Sequence, residues 1–235
     1  MKKTVLVMAS SVLGLLLTCG VALAITKTCT NDNPCLGTSD SDTLYGTEER
    51  NVIHSLEGND TVFGYGGSDG LKGGDGNDML HGGNGDDTMN TRGDTGDDRL
   101  WGDEGNDDLM DWEGSNKSLG GNGRDYLEAG FDDPLSNNTL RGGAGHDFLV
   151  AASGDDTLVA GPGAGEVLIG GSGDDTLIAG PGVLEFTLGD RGNDVIDVSD
   201  GMEDNMVKCG AGDDTVYFDK GLDEIGATCE HLHLE

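Results

Sequence analysis

The chain has 235 residues, a formal net charge of −32 at pH 7, 43 glycines and only 5% aromatic residues. No basic patch is available to meet phosphates, so nucleic acid is excluded as a partner. Without a counterion such a chain would repel itself and stay disordered, which makes divalent cations its natural partners.

Met1-Lys2-Lys3 carries positive charge, and the apolar run from Val5 to Leu17 is too short to span a bilayer. Ala22-Leu23-Ala24 forms a small-x-small cleavage pattern, so residues 1–24 are predicted to be a signal peptide. A lipid anchor at Cys19 would need a small residue before it, and Thr18 fits that site poorly. The expectation is a secreted bacterial protein, extracellular or periplasmic, with no membrane span. Removal of Cys19 with the signal leaves Cys29, Cys35, Cys209 and Cys229. An even count in an oxidising compartment reads as disulfides, and the placement favours Cys29–Cys35 and Cys209–Cys229. Zinc, with His231 and His233 as helpers, is the rival, but the spacing matches no zinc pattern.

Gly73 to Thr88 reads GGDGNDMLHGGNGDDT, two copies of Gly-Gly-x-Gly-x-Asp followed by a free, an apolar and a free position. The glycines mark a tight turn, and the short tail is a strand that points one side chain inward. The register begins at Asp42 with inward Leu44, then Asn51 (Ile53), Asp60 (Val62), Asp69 (Leu71), Asp78 (Leu80) and Asp87 (Met89). After a two-residue insertion come Asp98 (Leu100), Asp107 (Leu109), Asn116 (Ser118) and Asp125 (Leu127). A longer insertion at Phe131 to Pro134 precedes Asn138 (Leu140), Asp147 (Leu149), Asp156 (Leu158), Glu166 (Leu168) and Asp175 (Leu177). Glu185 (Thr187), Asp194 (Ile196), Asn205 (Val207) and Asp214 (Val216) complete it. Only Ser118 and Thr187 break the apolar phase, which random Gly/Asp richness would not keep.

These copies resemble the RTX, or haemolysin-type, calcium-binding repeat family, whose nonapeptide winds into a parallel β-helix. The resemblance implies an all-β parallel β-roll with two repeats per coil over residues 37–219, one cap at 25–36 and another at 220–235. Roughly nine or ten coils would make a rod about 45 Å long at the usual strand spacing. It also implies several Ca²⁺ ions, each held between neighbouring turns on the same side. Residue by residue, the ligand-competent acids are Asp60, Asp69, Asp78, Asp87, Asp98, Asp107, Asp125, Asp147, Asp156, Asp175, Asp194 and Asp214. One side carries Asp69 to Asp147 and then decays into Glu166, Glu185 and Asn205. The other lapses at Asn116 and Asn138 and resumes at Asp156. Asn51 also departs from the motif, and none of these six departures is counted as a site.

No catalytic residue is expected. Gly66-Gly67-Ser68-Asp69-Gly70 spells a nucleophile-elbow string, but it lies inside a repeat turn. Paired acids such as Asp86-Asp87 and Asp174-Asp175 read as one ligand and one solvated charge. Trp101 and Trp112 either fill a distorted coil or anchor an extracellular protein or glycan. The function expected is calcium-driven folding of an exported rod. The alternatives are an adhesin that calcium merely stiffens and a carbohydrate-active enzyme of the epimerase type.

Overall fold

The structure, a computed structural model, describes residues 23–30, 34–91, 93–130, 135–182, 186–202 and 206–234. Most of the signal segment with Cys19, the Phe131–Pro134 insertion, Glu185 and Asn205 lie outside the described residues. Among the described residues no helix is long and apolar enough to cross a membrane.

Strand after short strand alternates between two parallel sheets, one of twelve strands and one of eleven, so that each coil contributes one strand to each. Every pairing within both sheets is parallel, as a solenoid of stacked coils requires. Asp78 closes a turn in which Gly74 and Gly76 hold φ of 114° and 127°. That left-handed backbone is where a Cβ is penalised and glycine is not. The chain therefore reverses within six residues and starts the Met79–Asn84 strand directly after the acid.

The inward register follows the apolar positions. Val62 pairs with Leu80, Leu80 with Leu100, and Leu100 with Ser118. On the facing sheet Ile53, Leu71, Met89, Leu109, Leu127, Leu149 and Leu168 stack in the same way. Nearly all of these side chains are fully buried. The core is thus two columns of single side chains, with small residues such as Ala129, Ala151 and Ala160 beside them. Across the insertions before Asp98 and Asn138 the pairing stays intact, since Leu80 still meets Leu100 and Ser118 still meets Leu140.

Two exceptions sit inside the columns. Ser118 Oγ and Thr187 Oγ1 are buried without a hydrogen-bond partner. A buried unsatisfied hydroxyl costs about 1–3 kcal/mol, and Val keeps the shape of Thr without it. Thr187→Val is therefore expected to raise stability by about 1–3 kcal/mol in calorimetric melts. An unchanged or lower melting temperature would show that the hydroxyl has a partner after all.

Both ends of the stack are stapled. Cys29 and Cys35 are joined, with S–S 2.08 Å, beside strands at Thr26–Thr28 and Cys35–Leu36 that extend the two sheets. At the other end Cys209 and Cys229 are joined, with S–S 1.96 Å. The tail adds one more rung: Leu232 pairs with Val216, and His233 stacks on Tyr217.

Candidate metal centre

The closing residue of each turn sits under the next coil, and its carboxylate is used in halves. On one side the backbone N–H groups of Asn51, Asp69, Asp87, Asp107 and Asp125 each donate to Oδ1 of the acid one coil on, at 2.6–2.9 Å. That ladder ends at Asp147. On the other side the same bond links Asp42, Asp60, Asp78, Asp98, Asn116, Asn138, Asp156, Asp175, Asp194 and Asp214 at 2.6–2.9 Å. Asn116 and Asn138 keep this bond because an amide oxygen accepts as well as a carboxylate does. What they lack is the second, charged oxygen.

That second oxygen is the notable atom. In all twelve acids singled out by the sequence except Asp98, Oδ2 is buried and has no hydrogen-bond partner. Buried polar atoms are normally satisfied, so a whole row of orphans calls for a ligand. In eight of these turns, those closed by Asp69, Asp78, Asp87, Asp107, Asp125, Asp147, Asp175 and Asp194, the orphan leans against a glycine five residues before it. A Cβ on Gly64 would strike Asp69 Oδ2 together with the carbonyl oxygen of Gly82, one coil away. Gly102 is blocked in the same way by Asp107 and Gly120, Gly120 by Asp125 and Gly142, and Gly189 by Asp194 and Cys209. A carboxylate oxygen and a backbone carbonyl therefore converge on one small space in front of Gly64, Gly82, Gly102, Gly120, Gly142, Gly170 and Gly189. Hard oxygen donors of this kind, charged and neutral together, suit Ca²⁺. Among the described residues no three acid, His or Cys side chains close into a ready-made cage. Carbonyls must supply much of any coordination shell.

The electrostatics point the same way. Asp78 and Asp175 are pushed up to about 8, and Asp87, Asp98, Asp107 and Asp125 to about 7. Asp69, Asp147, Asp156 and Asp194 rise to about 6, and Asp60 and Asp214 also rise. Burial is the first cause. The bond from the preceding coil's N–H lowers each value, and for most of them neighbouring carboxylates raise it again. A cation would relieve both burial and repulsion.

Several neighbours of the ladders were not foreseen. Asp42 looks like its successors, but the backbone N–H groups of Ile25 and Thr38 already satisfy its carboxylate. Glu166 departs from the motif, yet it is fully buried with both carboxylate oxygens unpartnered. Asp111, at a position where most coils have Gly or Ala, is fully buried with both oxygens unpartnered. Burial first, and then Asp98, hold it well above the ordinary carboxylate range. At the far end Glu230 accepts the N–H of Asp214 at 3.2 Å, a ladder rung drawn from the tail.

The position before each acid forms a second, exposed ladder. Asn77 N–H donates to Asn59 Oδ1 at 2.9 Å, Asp97 N–H to Asn77 Oδ1 at 3.0 Å, and Ser115 N–H to Asp97 Oδ1 at 2.9 Å. Asp86 and Asp174 are rungs of such ladders rather than merely solvated charges. Ser68 is exposed and precedes the Gly70–Asp75 strand, so the helix that a nucleophile elbow requires does not follow it. Trp101 lies in neither ladder. It stacks on His81 at 4.3 Å, within an outward column that continues through Phe63 and Tyr45.

Parallel two-sheet coils define a β-roll, and its turns carry buried, half-used carboxylates of a kind that suits Ca²⁺. The chain matches the RTX calcium-binding nonapeptide repeat (4 copies) over residues 36–71, 64–91, 92–116, 135–166 and 163–183, more than half its length, and belongs to that family. No curated protein matches the chain.

Proposed function

We propose that the chain is an exported calcium-binding rod, folded and stiffened by ions held between its turns. The observation that carries this is the row of buried Oδ2 atoms without partners. The residues proposed to bind are Asp60, Asp69, Asp78, Asp87, Asp98, Asp107, Asp125, Asp147, Asp156, Asp175, Asp194 and Asp214, with turn carbonyls completing each shell. Roughly nine ions arise if neighbouring turns on one side share each ion. They would cancel about 18 of the 32 net negative charges and with them most of the self-repulsion. Oxidised cysteines at both ends and the signal-like N-terminus support a location outside the cytoplasm. No catalytic role is assigned.

A site that exists only in the folded chain turns binding energy into folding energy. Each ion contributes about 2.7 kcal/mol at a hundredfold excess over its Kd, so a few ions equal the stability of an ordinary domain. Magnesium is a poor substitute, because it demands octahedral geometry and dehydrates reluctantly. The melting temperature should therefore climb steeply with each tenfold rise in free calcium and hardly respond to magnesium. A melting temperature indifferent to calcium would refute this function.

A further inference from the structure

The turn that ends at Asn116 inverts the arrangement of its neighbours. In the standard turns a glycine stands five residues before the acid, and the acid's free oxygen fills the space in front of that glycine. Here the closing residue is Asn116, and the residue five before it is Asp111. The carboxylate has moved from one wall of the space to the other. Asn116 keeps the structural half of the role, since Asp98 N–H donates to its Oδ1 at 2.8 Å. Its amide donates to the carbonyl of Glu113 at 2.8 Å, so no second oxygen remains for an ion. Asp111 has two, both buried and unpartnered.

The surroundings add acid rather than a counter-charge. Asp98 and Asp94, and beyond them Asp78, act on Asp111 through their charges, and the Thr91 hydroxyl lies against both Asp98 and Asp111. Asp94 comes from the insertion before Asp98. Its Oδ1 faces Lys72 at 3.3 Å, while its Oδ2 is buried and unpartnered. Lys72 is nearly half exposed and meets only the outer member of the cluster. Lys72, Gly93 and Asp94 also line a cleft of about 670 Å³.

We propose that Asp111, with Asp98, Asp94 and Thr91, forms a divalent-cation site of non-repeat composition that takes Ca²⁺. It rests on the calcium reading of the regular turns and adds a site that the motif would not count, because its closing residue is an amide. These side chains do not close into a cage by themselves. Backbone carbonyls complete the shell, as they do for the regular turns.

Native mass spectrometry of the full calcium-loaded chain counts bound ions as integers. The expected result is one ion fewer in Asp111→Asn than in the wild type, and the wild-type number again in the double variant Asp111→Gly/Asn116→Asp, which returns the carboxylate to its usual wall. An unchanged count in Asp111→Asn overturns the site and leaves Asp111 a buried protonated acid. A folded double variant that still lacks the ion overturns the exchange of positions. Should Asp111→Asn fail to fold, Asp94→Asn at the rim is read the same way, and an unchanged count there also overturns the site. A wild type that binds no calcium at all would instead refute the reading of the regular turns, so the two failures are distinguishable.

Discussion

In chelator, the roll is expected to lose stability as the pH rises from about 5 to about 8, the reverse of ordinary acid denaturation. Ten ladder acids, among them Asp69, Asp78 and Asp87, have folded-state values of about 6 to 8 against an ordinary 3.8. A group whose value is raised on folding contributes fully below its unfolded value, and that contribution is lost as the pH climbs through the folded one. Exposed carboxylates finish ionising near their ordinary values, so the interval from about 6 to about 8 isolates the buried ladders. With calcium the sign changes. Binding needs the carboxylate and expels its proton, so apparent affinity rises over the same interval. Urea titrations at pH 5 and pH 8, each with chelator and with calcium, measure both trends. Greater metal-free stability at pH 8 than at pH 5 would show that the ladders do not carry protons.

Gly82→Ala should be among the most damaging single-methyl changes in the array, and Gly70→Ala nearly silent. Neither glycine has a positive φ, so backbone conformation excludes alanine at neither position. Space separates them. A Cβ at Gly82 would collide with Asp87 Oδ2 and press on the carbonyl of Gly102, the two atoms that converge in its turn. A Cβ at Gly70 meets only a Val52 methyl at 4.0 Å. Overpacking alone costs about 1–3 kcal/mol, and the space proposed for calcium in that turn would be filled as well. The calcium midpoint for folding should therefore rise about tenfold or more in Gly82→Ala, since about 1.4 kcal/mol is tenfold. Calcium titrations of the two variants side by side decide it. Equal midpoints would mean that the converging oxygens are not where the ion binds.

The fold was legible because one nine-residue phase runs from Leu44 to Val216, and stacked coils demand that equivalent positions coincide. The insertion before Asp98 was readable too, since the phase resumes after it. The ladders were less accessible, because their bonds link residues 18 to 22 apart and the spacing changes wherever an insertion intervenes. The position before each acid looked free within one repeat, yet Asn77 and Asp97 bond to the coil before. Glu166 and Asp111 were missed for a related reason. Scoring each turn by its closing Asp and glycines rejects both, whereas the folded space accepts a carboxylate from a longer arm or from the opposite wall. The column from Tyr45 to Trp101 was hidden in the same way, its members standing 18 to 20 residues, or two repeats, apart. His81 is half-buried between Phe63 and Trp101.

The central claim is that calcium and folding are one equilibrium. Far-UV circular dichroism of residues 25–235 at pH 8 in EDTA, titrated with CaCl₂ and separately with MgCl₂, tests it most directly. The account predicts a coil spectrum in EDTA and a cooperative transition to β structure with calcium alone, reversed by chelator. An unchanged β spectrum in EDTA would contradict it, because the disulfides and the leucine columns would then hold the roll without the ions.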